Sequence, residues 1–504
     1  MIKQVSFLMP LFVGTTVFAQ GLEKNNSSAP NNKYNYLVLL TDDQSFNTLQ
    51  ISGNRETSTP NMNRIINSGV YFNSTHVMGG LNGAISQPSR AMLMTGVGLM
   101  DVRDNGSVIP ECQMTFPEYF RSKGYITFAT GKWHSDSKSF NRSFCTGANI
   151  FFGGMHSPGK DGKFGHVRPF LHQYRQDGDY NKENGAYVDE GSHTFSSELY
   201  ANAAISFLEQ QKDSEQPFLM YVAFTSPHDP RNVLPDYGKK FSRDEVSLPA
   251  NFLPEHPFDN GDLHERDEEL LPFPRDPELV KQERAYYYSM INEVDVQIGR
   301  VLDALEKNGK LDSTIIIFAS DNGLSVGEHG LLGKQNLYEA SVKVPLAISG
   351  PGIPKGEERN AMAYLYDIYP TLCEMSGYDI PASVKGHSLL PVIDNEVETE
   401  RDDIFLAYMN LQRAIKKGNY KLILYNVDGQ RHPQLFDLKN DPKEKVNLYD
   451  NPDYSSIRQE LTELLYQRMK ESGDFCNPDL PDWGYPTKIK WQDIKAISKN
   501  RTEK

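Results

Sequence analysis

Cysteine is scarce: 504 residues contain four, Cys112, Cys145, Cys373 and Cys476. Their spacing fits no metal-binding motif. An exported chain could pair them, and unpaired structural thiols fit equally well. Excess positive charge is also missing. The net charge is -14, which argues against nucleic acid or an anionic membrane as a main partner. An anionic substrate stays possible, because local charge can oppose the global sign. Beyond the first twenty residues no apolar run is long enough to span a bilayer. Internal repeats are absent. With 38% hydrophobic and 23% charged residues, the chain has the composition of an ordinary globular protein, long enough for more than one domain.

The amino terminus reads as an export signal. Lys3 supplies the positive start, Val5 to Val13 is mostly apolar, and Val17-Phe18-Ala19 is a cleavage site before Gln20. We therefore expect residues 1–19 to be a signal peptide and 20–33 a flexible polar leader, placing the protein in the periplasm or outside a bacterial cell. No cysteine follows the apolar run, so a lipoprotein anchor is not expected.

Short, nearly continuous apolar runs then alternate with helical patterns. Tyr34 to Thr41, Tyr125 to Thr130, Pro217 to Phe224, Ser313 to Ser320 and Val344 to Ser349 read as strands, most of them buried on both faces. Helical periodicity marks Pro60 to Ser68, Thr115 to Gly124, Phe195 to Gln211, Leu279 to Lys310 and Leu365 to Gly377. Polar groups follow the strands: Asp42 and Asp43, then Lys132 and His134, then His228, then Asp321 and Asn322. In open α/β sheets, ligands bind beyond the carboxyl ends of the strands, so these groups are expected to converge. After about residue 400, short runs joined by turns such as Asp428-Gly429 read as antiparallel strands, followed by a helix over Ser455 to Glu471. Asn149 to Asp189, which includes His156, His166 and His172, and Asn232 to Pro277 are weakly periodic insertions.

Ser86-Gln87-Pro88-Ser89-Arg90 opens one further helix, read here with Ser86 as its N-cap and Pro88 in its first turn. The helix start favours a bound anion, and Arg90 adds a fork suited to tetrahedral oxyanions. Ser-x-Pro-Ser-Arg-x-x-x-x-Thr-Gly resembles the signature of the formylglycine-dependent sulfatases, in their serine form. Gly131-Lys132-Trp133-His134, Ser226-Pro227-His228, Asp321-Asn322-Gly323 and Gly386 to Leu390 extend the resemblance, as does Leu435-Phe436-Asp437-Leu438 near the carboxyl end.

The resemblance implies an alkaline-phosphatase-like α/β fold: a large, mostly parallel mixed sheet between helices, with a smaller C-terminal α+β domain on an antiparallel sheet. The expected boundaries are 34–398 for the catalytic domain and 399–504 for the small one. It implies that Ser86 is oxidised to formylglycine, whose hydrate attacks sulfur, by an oxygen-independent radical maturase of an anaerobic or facultative bacterium. It makes Asp42, Asp43, Ser86, Asp321 and Asn322 metal ligands. Arg90, Lys132, His134, His228 and Lys334 become the catalytic and sulfate-binding groups. His228 would protonate the leaving alcohol, and His134 would accept a proton as sulfate is expelled. Oxygen-only donors suit calcium, with magnesium as the alternative, rather than zinc. The expected substrate is a sulfated saccharide of galactose or N-acetylgalactosamine type, with Asp229 and Arg231 as candidate sugar contacts and Glu328 and His329 in supporting roles. Two other readings are a phosphomonoester or phosphonate hydrolase on the same scaffold, and a non-catalytic glycan-binding protein whose Ser86 is never oxidised.

Overall fold

The Asn35–Thr41 run lies inside a ten-stranded sheet, and every residue of it is buried. This computed structural model describes residues 34–157, 165–188, 195–231, 234–485, 487–490 and 492–493. The expected signal peptide and leader lie outside those residues. In chain order the strands are β1 (Asn35–Thr41), β2 (Gly69–His76), β3 (Gly79–Gly80), β4 (Ile126–Lys132) and β5 (Thr146–Phe151). Then come β6 (Phe170–His172), β7 (Gly185–Tyr187), β8 (Phe218–Ala223), β9 (Thr314–Ser320), β10 (Lys343–Ser349) and β11 (Glu357–Tyr364). The last four are β12 (Asp403–Tyr408), β13 (Gln412–Lys417), β14 (Tyr420–Val427) and β15 (Gln430–Asp437).

The large sheet runs β11-β2-β10-β9-β1-β8-β4-β5-β6-β7. Its centre, β9-β1-β8-β4-β5, is wholly parallel, while β10 is antiparallel to both neighbours. Side chains alternate along a strand, so β1 feeds two cores. Tyr36, Val38 and Leu40 pack with the Ser86–Thr95, Phe116–Ser122 and Ile368–Met375 helices. Leu37 and Leu39 pack on the other face with Pro60–Asn67, Ser196–Gln210 and Pro277–Lys307. Each fully buried Leu or Val contributes roughly 1.5–3 kcal/mol. That is why such short strands hold without amphipathic patterning.

The second sheet, β15-β14-β13-β12-β3, is antiparallel except where β12 pairs in parallel with the two residues of β3. Asp428 and Gly429 both have positive φ, as a tight hairpin turn between β14 and β15 requires. The Ser455–Glu471 helix has the expected bounds. Core residues of this sheet, such as Ile404, Leu406 and Ile415, belong to the same hydrophobic cluster as Val38 and Leu93. No helix among the described residues is long and apolar enough to cross a membrane.

Candidate active site

Asp42 and Asp43 stand just past β1, Asp321 and Asn322 just past β9, Lys132 at the end of β4, and His228 beyond β8. Because these strands are parallel neighbours, their carboxyl ends lie side by side. The expected convergence is present: carboxylate oxygens of Asp42, Asp43 and Asp321 lie within 4.8 Å of one another, and all three residues are buried. Asp43 has φ 67°, an uncommon backbone state that occurs at functional sites. Its amide donates to Asp321 Oδ1 at 3.1 Å.

The Ser86–Thr95 helix brings in the next groups. Ser86 is the first helical residue rather than the N-cap; Ile85 holds the cap position with no side-chain cap bond. The hydroxyl is engaged elsewhere. It donates to Asp42 Oδ1 at 3.2 Å and accepts from Asn322 Nδ2 at 3.0 Å. One turn on, Arg90 Nε donates to Asp321 Oδ2 at 2.7 Å. Gly96, at φ 70°, ends the helix in the left-handed state that glycine adopts freely.

Three cations offset the three carboxylates. Lys132 Nζ lies 2.7 Å from Asp42 Oδ2, and Lys334 Nζ lies 2.6 Å from Asp43 Oδ2. Arg90 is the third. Burial works against ionisation of Asp42, but Lys132, His228 and Arg90 outweigh it and hold its carboxyl below the ordinary range. Burial raises Asp321 despite Arg90. Burial lowers Lys132. Asp43, Asp267 and Asp42 raise Lys334 against its own burial.

The two histidines differ. His134, with φ 63°, is half-buried, and its Nδ1 is turned away from solvent. Burial, with Lys132 and Arg90 adding, pushes it well below its usual value, so it is neutral, and its Nδ1 has no hydrogen-bond partner. His228 is raised above its usual value. Burial and Lys334 oppose the proton, but Asp43, Asp229 and Asp42 favour it. Its Nε2 lies 3.6 Å from Asp43, and its Nδ1 lies 3.1 Å from an oxygen of Asp229. Gly131, at φ 90°, lets β4 pass against β8: a Cβ there would lie 1.9 Å from the Ala223 carbonyl oxygen.

Asp229 and Arg231 point into the protein. Arg266 grips both oxygens of Asp229, at 2.6 and 2.9 Å, and Arg231 lies 3.4 Å from Glu283. Sequence reasoning missed Arg266 and its neighbour Asp267, which accepts from Arg266 and from Gln335 at 2.9 Å. The signal was Asp229 itself, a carboxylate beside a histidine that needs a cationic partner. Also missed was Glu293, which accepts from Ser226 and Tyr237 under the His228 loop. His166 and His156 brace that loop through the His228 carbonyl and Thr225. His172 contacts the Asn181 carbonyl. Glu328 pairs with Arg284, and His329 stacks on Tyr338. Among the described residues no disulfide links Cys112, Cys145 and Cys373, and Cys476 Sγ accepts from Arg413 at 3.1 Å.

The donor set fits a hard divalent cation. Every candidate ligand is an oxygen, three are buried carboxylates, and Asn322 Oδ1 is buried with no hydrogen-bond partner. A buried carboxylate and cation cluster at the carboxyl edge of a mixed sheet matches the architecture of alkaline-phosphatase-like hydrolases, with carboxylates able to hold a divalent cation. Within that class, the chain belongs to the sulfatase family: the Sulfatase model matches residues 34–378. A second model, N-sulphoglucosamine sulphohydrolase C-terminal, matches residues 327–471. The chain is 27% identical to an N-acetylglucosamine-6-O-sulfatase of Bacteroides thetaiotaomicron, over 93% of this chain and 91% of that one. A structure solved with its substrate D-glucosamine-2-N,6-O-disulfate is 24% identical, with TM-score 0.67, covering 89% of this chain and all of the other. A phosphonate monoester hydrolase of Agrobacterium radiobacter shares the fold at 23% identity, with TM-score 0.68, covering 87% and 96% of the two chains.

Proposed function

We propose that the protein is an exported sulfatase that removes sulfate esters from sugars, with calcium bound by Asp42, Asp43, Asp321 and Asn322 and with Ser86 oxidised to formylglycine. The observation that carries the reading is the Ser86 hydroxyl seated between Asp42 and Asn322. The cation would lower the pKa of the attacking hydroxyl and polarise the sulfuryl oxygens. Formylglycine, hydrated, would offer a second hydroxyl through which the ester can be released.

This chain's own groups do the rest. Arg90, Lys132 and Lys334 offset charge on the sulfuryl oxygens. His228, held through Nδ1 by Asp229, donates its Nε2 proton to the leaving oxygen, which a sugar alkoxide needs because it leaves poorly. Neutral His134 accepts a proton at Nδ1 when sulfate is expelled.

We take residues 34–398 as the catalytic domain, 399–504 as the small domain and 1–19 as the export signal. A radical maturase is the partner that would oxidise Ser86. The name of the Bacteroides relative adds glucosamine-type sugars to the galactose type as substrate candidates. The test is turnover of matured protein on regiochemically defined sulfated monosaccharides, with nitrophenyl sulfate and nitrophenyl phosphate as controls. Sulfate release from one sugar regioisomer is expected. Faster phosphate release would favour the phosphohydrolase reading.

A further inference from the structure

A cleft of about 790 Å³ lies between the β2–β10–β11 side of the large sheet and the β13–β14 turn of the small one. Its volume is typical of small-ligand pockets, which span about 300–1,000 Å³. None of the groups around Ser86 lines it.

The lining combines aromatic, amide and ammonium groups. Phe46 stacks on Tyr71 with ring centroids 5.6 Å apart, and the Lys343 ammonium sits 3.8 Å over the Phe46 ring. Asn73 and Asn251 supply amides. Two buried polar atoms of the lining, Tyr71 Oη and Asn251 Oδ1, have no hydrogen-bond partner, although their residues are only 2% and 8% exposed.

The charge left over is positive. Glu339 is paired with Lys416 and Lys421, Glu444 with Lys421, and Glu328 with Arg284. That leaves Glu358, which accepts from Asn73, against Lys343 and Lys443, neither of which has an ion-pair partner among the described residues. Burial, with Lys416 adding, brings the Lys343 ammonium down to about 8. Glu339 and Glu358 lie near enough to favour its charge, but neither forms an ion pair with it. On a chain of net charge -14, two ammonium groups without ion-pair partners, beside an aromatic pair and the Asn73 and Asn251 side chains, suit hydroxyl-rich rings bearing sulfate or carboxylate.

We propose that this cleft is a second, non-catalytic saccharide site that holds an anionic segment of a sulfated glycan away from the Ser86 centre. It rests on the sulfated-glycan reading above. Its consequence is that long substrates bind better than monosaccharides carrying the same scissile ester.

The experiment uses the full chain with Ser86→Ala, so that nothing is turned over. Binding of heparin, chondroitin sulfate and carrageenan octasaccharides, each beside its desulfated counterpart, is measured by calorimetry. At least one sulfated octasaccharide should bind, and Lys343→Ala with Lys443→Ala should weaken it at least tenfold without shifting the melting temperature. Lys443→Glu alone, at an exposed position, should weaken it in the same direction should the double variant fold poorly. In the matured enzyme the same changes should raise KM for the octasaccharide and leave monosaccharide sulfate turnover unchanged. Unaltered octasaccharide binding in these variants, or no sulfated octasaccharide bound by the parent chain, overturns the proposal. Failure of the sulfatase reading would instead show as no sulfate release from any ester by matured protein.

Discussion

At the scale of single residues, the centre works by making incompatible charges share a buried space. His228 and His134 sit in one cluster yet are pushed in opposite directions, because His228 faces Asp43 and Asp229 while His134 faces Lys132 and Arg90. Groups held in different protonation states are how one site supplies both an acid and a base. His228→Ala should therefore lower kcat about 10²–10⁴-fold on a sugar sulfate. The loss should be much smaller on nitrophenyl sulfate, whose leaving group needs no proton. Equal losses on both substrates would remove His228 as the proton donor. Asn322→Leu removes a candidate donor oxygen without opening a large void. It should weaken calcium binding at least tenfold by calorimetry, whereas unchanged affinity would place the ion elsewhere. Asp42, Asp43, Lys132, His134 and His228 were legible in the sequence from their places after apolar strands together with the resemblance of their motifs to the sulfatases. Arg266 was not, since it lies in a long charged loop where no periodicity marks which cation turns inward.

At the scale of elements, a single helix links the core to the His228 loop. Glu293 lies within Pro277–Lys307 and accepts from Ser226 and Tyr237. Burial raises its carboxyl from 4.5 to about 8, against those hydrogen bonds. A raised folded value means that the native state holds the proton more tightly than the unfolded chain. The resulting stability is complete below about 4.5 and is lost as pH rises through about 8. Between pH 5 and 8 the protein should lose on the order of a few kcal/mol from this group. Glu293→Gln, which cannot ionise, should flatten that slope in urea unfolding; an unchanged slope contradicts the assignment. Gly131→Ala should destabilise by roughly 3 kcal/mol or more, because β4 must separate from β8 to admit a Cβ. The strands buried on both faces were legible as apolar runs. β11 was not, since Glu357–Tyr364 is half-exposed and polar along its first half. β6 and β7 are three residues each, inside a stretch rich in glycine and charge, and carry too little pattern to read.

At the scale of the whole molecule, the active centre is made of segments nearly 300 residues apart in sequence, from Asp42 to Lys334. Its integrity and that of the fold are therefore one property. Ligand binding to the native state alone stabilises by about 2.7 kcal/mol at a concentration 100-fold over Kd. Chelation should accordingly lower the melting temperature by a few degrees and abolish turnover, with calcium restoring both. Loss of turnover with no change in melting would mean that the ion is not part of the folded centre. The central claim concerns Ser86, and mass spectrometry of the Ser86 peptide, alongside sulfatase turnover of the same preparation, tests it most directly. Preparations made with a radical maturase should show the peptide short of two hydrogens, and turnover should rise in proportion to that converted fraction. Full turnover from protein whose Ser86 is wholly unmodified would contradict the account.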